Sequence, residues 1–176
     1  MRQTVIFILA VVSGAAAAAG PIGRVEQISG PVTADADVLT TTTVLRTGMR
    51  LVSGKDGSVT LRMADDSLIR INGATDLSIR DFAFSPVTST AASNSAGYDL
   101  NYGAVRIISG RSTPASTTVV TLHTPFGDVI ANSADYSAGI CAGDCAEAPG
   151  LYVCMQSGQA NARSSDSTTV LRSGQA

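Results

Sequence analysis

The sequence predicts an all-β protein whose many short strands form a meander and fold into a β-sandwich or roll. Three observations carry that prediction. Apolar and polar residues alternate through "KDGSVTLRMADDSLIRINGATDLSIRDF", from Lys55 to Phe82. Turn signals recur at a spacing of roughly ten residues. No segment sustains the 3.6-residue apolar period of a helix. The similar pieces "VLRTG", "VRIISG" and "VLRSG" recur at irregular spacing, so a β-solenoid stands as the alternative.

Taken in order, "GRVEQISGPV" (Gly23 to Val32) alternates around Val25, shifts phase at Ile28 and ends at a Gly-Pro turn. "DADVLTTTT" (Asp35 to Thr43) reads as a loop, and Gly48, Gly54 and Gly57 mark turns in the next stretch. Val59, Leu61 and Met63 then share one face of a strand, with Thr60 and Arg62 on the other. "ADDS" turns the chain into an inward pair, Ile69 and Ile71. Asn72-Gly73 is a hairpin signal, because both residues tolerate positive φ, and Leu77 and Ile79 follow as a third inward pair. The segment 85–97 is small, polar and aperiodic, as a surface loop is. Strand patterns resume around Val105 and Ile107, continue in "TVVTLHTPFGDVIA" with a break at Pro125 and Gly127, and return in "LYVCMQSGQANAR" with a turn expected at Ser157-Gly158. "TTVLRSGQA" closes the sequence.

The 176 residues suit one domain, placed at 20–176. Ahead of it, Arg2, the apolar run "TVIFILAVV" and the small-residue stretch "SGAAAAAG" form the pattern of a secretory signal peptide over 1–19, with cleavage between Ala19 and Gly20. The apolar run is too short for a membrane span, and no later stretch reaches membrane length. The mature chain is therefore expected in the periplasm or outside the cell, without a membrane span. A net charge of -2 gives no long-range attraction to nucleic acid. Eleven scattered arginines and the single Lys55 form no basic run, and Trp is absent, so nucleic acid is not an expected partner.

Residues that could carry chemistry are few. His123 is the only histidine, with Asp128 and several serines near it, but no serine sits in a nucleophile elbow. Asp65-Asp66 is first a turn, and Asp35 with Asp37 matches only the opening of a calcium loop. No catalytic, cofactor-binding or metal-binding set is assigned. The three cysteines lie in "GICAGDCAEAPGLYVC". With His123 they make a permissible zinc set, but at a spacing unlike structural zinc sites. The simple reading is one disulfide and one leftover thiol. Cys141–Cys145 is favoured, with Cys154 a small inward hydrophobe of its strand, and Cys145–Cys154 is the competing pair.

The ordered pieces resemble a FecR-type domain over nearly all of Gly23 to Ala176. These are the early "G.V" strand, then "LRTGMRLVSGKDGSVTLRMADDSLIRI", "GAVRIISGR", "LHTPFGDVI", and the closing "GLYVCMQSGQANA" with "VLRSGQA". The "C.gdC" loop before "GLYV" is similar to that of one subgroup of the family. Where members carry an "IGIRGT"-like segment this chain has "VIANSADYSAGI", so nothing of that segment is carried over. The resemblance implies a non-enzymatic periplasmic module that binds or senses through protein contacts in the cell envelope. A structural or assembly component of an envelope complex is the alternative, and the oligomeric state is left open.

Overall fold

The computed structural model describes residues 21–85, 94–110, 118–143 and 145–174. The expected leader, its Ala19–Gly20 cleavage point and the "STPAS" loop lie outside the described residues, as does most of the 85–97 loop. The described residues form strands and no helix: β1 (Gly23–Ser29), β2 (Val32–Ala34), β3 (Asp37–Val38), β4 (Arg50–Ser53), β5 (Ser58–Met63), β6 (Leu68–Ala83), β7 (Ser95–Ile108), β8 (Val119–Thr124), β9 (Gly127–Cys141), β10 (Gly150–Arg163) and β11 (Thr168–Arg172). All belong to one open sheet of 11 strands. Every pairing is antiparallel except β7 with β8. A solenoid stacks parallel strands, so that alternative falls.

The sheet folds over on itself because its long strands bend. Each of β6, β7, β9 and β10 carries one residue of positive φ in its interior: Gly73 (63°), Gly103 (85°), Ser133 (51°) and Gly158 (78°). These bends divide the sheet into two halves. Residues 68–72 of β6 pair with β5, whereas 75–78 pair with β4. Residues 103–108 of β7 pair with β9, whereas 95–99 pair with β8. A strand that changes layers through a bulge is the usual way to build the corner of a folded sheet. Asn72-Gly73 and Ser157-Gly158 are therefore not hairpin turns. The same tolerance of positive φ is used inside a strand, and the third inward pair is the continuation of β6. The strand read in "GDVIA" runs on through "NSADYSAGI", a stretch unassigned from sequence, and together they are β9. Asp37–Val38 adds a short strand inside the expected loop.

The corners leave backbone groups that the ladder cannot pair, and side chains take them. Thr75 Oγ1 accepts from the Ala104 N–H (3.0 Å) and lies 3.0 Å from the Asn72 carbonyl, to which it donates. Ser53 Oγ donates to the Gly73 carbonyl. Ser109 Oγ accepts from the Ala134 N–H at 2.9 Å. Gly103 has no substitute, since a Cβ there would strike the Ala74 carbonyl and the Thr75 side chain. Arg50 clamps the same corner by donating from Nε (2.8 Å) and Nη2 (2.7 Å) to the two oxygens of Asp76, a carboxylate whose side chain is only 4% exposed.

Inside the fold, register lines up the apolar residues in transverse rows. One runs Ile28–Val59–Ile71–Val105–Ala138–Val153, and its neighbour runs Val25–Leu61–Ile69–Ile107–Tyr136–Met155. The other half contributes Ile79–Tyr98–Leu122–Val129. These residues meet in one apolar cluster, to which the 39–49 loop adds Leu39, Leu45 and Met49. The residues expected inward from sequence, Leu61, Ile69, Ile71, Leu77 and Ile79, are all buried. Burial also pushes the phenols of Tyr98 and Tyr136 well above the usual range.

Replacing Ile71 with Ala removes a fully buried side chain and is expected to cost about 2–5 kcal/mol in urea unfolding. Arg62→Ala removes a surface ion pair to Glu26 and is expected to cost little; equal costs would mean the register is wrong. Asp76 provides a pH test. The Arg50 hydrogen bonds hold its carboxyl below its ordinary 3.8, against burial, so the native state favours the ionised form. The stability this adds is present above the unfolded value and is lost as pH falls through the lower native value. Asp76→Asn is expected to cost about 1–3 kcal/mol at neutral pH, as loss of charge-assisted hydrogen bonds does. It should also flatten the acid limb of the stability–pH curve below pH ~4.

Candidate binding surface

The two bends of β6 and β7 lie at one end of the first half-sheet, where Asn72, Ala104, Gly139 and Tyr152 form a row across four strands. At this end β9 stops at Cys141 and β10 starts at Gly150. The connecting loop and the departing strands thus flank a patch of small residues. The result is a shallow trough of about 470 Å³. Ala104 and Gly139 are its floor, Ala74 and Gly103 its corner side, and Cys141, Cys145, Glu147 and Tyr152 its rim. A second depression of about 220 Å³, lined by Ser137, Val153 and Cys154, lies against the same tyrosine.

Tyr152 projects between the two depressions with 45% of its surface exposed. Its hydroxyl donates to the Ala148 carbonyl at 2.8 Å, which fixes the ring against the loop. Cys141 and Cys145 lie at disulfide distance, their Cα atoms 5.7 Å apart. The Cys141 sulfur also sits 3.3 Å from the Glu147 carbonyl. Ligand atoms of Cys141, Cys145 and Glu147 lie close enough together to hold a metal ion only with both sulfurs unlinked. Cys154 is exposed on the outer face of β10, not turned inward as its strand position suggested. Before the bend at Gly158 the even-numbered residues of this strand face out, and the inward positions there are Leu151, Val153 and Met155.

His123 lies elsewhere, in the second half. A polar row crosses the outer face there: Arg50, Ser78, Asp99, His123, Asp128 and Arg163, each opposite the next. His123 Nδ1 lies 2.9 Å from Asp128 Oδ1. Its neighbour on the other side is Asp99, which takes a hydrogen bond from Arg80 Nε at 2.9 Å. Ser78 is two strands from His123, a separation of roughly 10 Å at normal strand spacing. The row therefore brings His123 to carboxylates and leaves the nearest serine in it out of hydrogen-bond reach. Asp65 Oδ1 accepts from Ser67 N–H (3.0 Å) and Oγ (2.6 Å), as a turn residue does. The carboxylate of Asp35 is held by Arg46 at 2.6 Å and by the Arg50 N–H at 2.9 Å.

No family model matches the chain, and no curated protein does. Solved structures do resemble it. Two crystal structures of a candidate anti-sigma factor from Parabacteroides distasonis ATCC 8503 superpose with TM-scores of 0.51 and 0.52, each at 11% identity. Each match covers 70% of this chain and 51% of the other, so the chain spans about half the length of the structures it matches. At that identity the likeness is one of fold. Among the described residues no helix is long and apolar enough to cross a membrane.

Proposed function

We propose that this chain is an exported, non-enzymatic binding or sensing module of the FecR-like type, acting through protein–protein contacts at the Tyr152 trough. One domain over 20–176 follows a cleaved leader, and the mature protein works in the periplasm or outside the cell. The observation that carries the reading is the form of the trough. Its floor is small and uncharged, its rim holds one fixed, half-exposed aromatic, and it opens broadly to solvent. Such a surface suits a protruding side chain or loop of a partner, because a rigid aromatic supplies contact area at little entropic cost. The likeness to the Parabacteroides structures supports the same class, since an anti-sigma factor is a regulator that acts by protein contact.

The rim needs a rigid loop, and a Cys141–Cys145 disulfide would supply it in an oxidising compartment. So short a cross-link stabilises the whole fold little, about 2 kcal/mol at most, and mainly shapes the loop. Peptide mapping of the non-reduced exported protein should recover the Cys141–Cys145 link with Cys154 free. Cys141→Ser should fold and be cut faster near Pro149. A Cys145–Cys154 link, or three free thiols, would overturn the pairing.

The trough itself is tested by Ala104→Arg, which fills the floor from an exposed position. Partners captured from an envelope fraction by the wild type would be identified and re-measured as purified pairs. Ala104→Arg should weaken the authentic pair at least about tenfold, or 1.4 kcal/mol, with unchanged thermal unfolding. Undiminished affinity would move the binding surface elsewhere. Incorporation into a large envelope assembly, insensitive to this substitution, would favour a structural role. A hydrolytic activity of the folded protein that disappears in His123→Ala would sink the non-enzymatic reading.

A further inference from the structure

The edge of β10 is the least defended of the sheet. In the first half-sheet residues 150–155 of β10 pair with β9 on one side, and among the described residues no strand pairs with the other side. β11 covers only 159–163, and beyond it the Gly174 N–H donates to the Met155 carbonyl at 3.4 Å. That bond shows which way the strand's polar groups point. Met155 turns its backbone groups away from β9, and in an antiparallel ladder every second residue does the same. Val153 and Leu151 therefore also turn their N–H and C=O groups away from β9, where no strand of the described residues meets them. The other edges carry devices that discourage pairing. β1 has a bulge between Val25 and Gln27 and the charges of Arg24 and Glu26. β3 has 2 residues and includes Asp37, and β11 ends in Arg172. The stretch "GLYVCMQSG" has no charge, no proline and no positive φ before Gly158.

We propose that this edge pairs with the same edge of a second copy, antiparallel, about a twofold axis through Tyr152. The free rungs fit that axis. Leu151 would exchange both hydrogen bonds with Val153 of the second copy, and Val153 with its Leu151, so both free residues are used and Met155 keeps its bond to Gly174. The side chains fit as well. Leu151 and Val153 face inward at the end of the apolar rows, so the pairing continues those rows into the second copy. Tyr152 faces outward and would lie directly opposite its own equivalent, an aromatic cross-strand pair of the kind that stabilises sheets. No like charges are brought together, because the edge has none. An interface of this form is isologous and closes at two copies. Cys154 would fall opposite Gly150 of the second copy.

The test uses the mature chain with Cys154→Ser to exclude adventitious cross-links. Sedimentation velocity should show a dimer at about 100 µM that dissociates on dilution to about 1 µM. Amide exchange at Leu151 and Val153 should slow about tenfold or more over the same range, while other edge amides are unaffected. Val153→Pro removes an outward N–H and not a β9–β10 bond, so it should give a folded monomer. Register is read with Gly150→Cys in the chain that keeps Cys154: mild oxidation should link position 150 of one copy to Cys154 of the other. A monomer at all concentrations, exchange at Leu151 and Val153 independent of concentration, or a dimer cross-linked in another register would overturn the proposal. Ala104→Arg leaves this edge untouched, so a dimer retained in that variant separates this inference from the trough reading.

Discussion

Bending a hydrogen-bonded sheet back on itself without stranding its backbone groups is the constraint on which the rest of this structure depends. Each crossing strand meets it with one left-handed residue, and the adjacent hydroxyls of Ser53, Thr75 and Ser109 take the amides and carbonyls that the ladder drops. Because the bends occur within strands, each long strand contributes inward residues to both halves, and one apolar cluster serves the whole sheet. β6 and β7 turn away at one end of the first half-sheet, and β9 and β10 at the other. β8 fits between β7 and β9 in the second half, where they no longer touch.

The surface features follow from this geometry. The trough exists where β6 and β7 leave the plane while β9 and β10 end in a loop, so its floor is whatever the row Asn72–Ala104–Gly139 supplies. Glycine and alanine there keep it open. The free stretch of β10 is set by the bend at the opposite end. Past Gly158 the strand is covered by β11; before it, the strand has outrun its neighbour. Both features sit on Tyr152, whose ring is held by Ala148 and so serves as a fixed landmark.

Much of the architecture was legible in residue types. The alternation at Val59, Leu61 and Met63 and at Ile69 and Ile71 marks the inner face directly, and Thr124-Pro125-Phe126-Gly127 marks a true hairpin. The corners were not legible, because Asn72-Gly73 and Ser157-Gly158 offer the same positive φ whether the chain reverses or merely kinks. What decides is the partner strand, which lies far away in sequence. The length of β9 beyond Ala131 hid for a related reason. Its inward positions include Ala131, Ala134 and Ala138, too small to show an apolar period beside Ser and Gly. The trough is a property of juxtaposed small residues, and only Tyr152 and the cysteine loop carried any signal of it. Cys154 was misplaced by assuming that a small apolar residue in a strand faces the core.

The ion pairs hold a consequence for how fast this protein meets anything. Arg24 and Arg62 share Glu26, Arg46 faces Asp35, Arg50 faces Asp76, Arg80 faces Asp99, and Arg106 faces Asp135. Charges neutralised so locally project little field beyond a Debye length. Encounters with a partner are then unsteered, in the range of about 10⁵–10⁶ M⁻¹s⁻¹, and nearly indifferent to ionic strength. In the exported setting proposed above, where salt follows the outside medium, the rate of recognition would hold steady while the surroundings change.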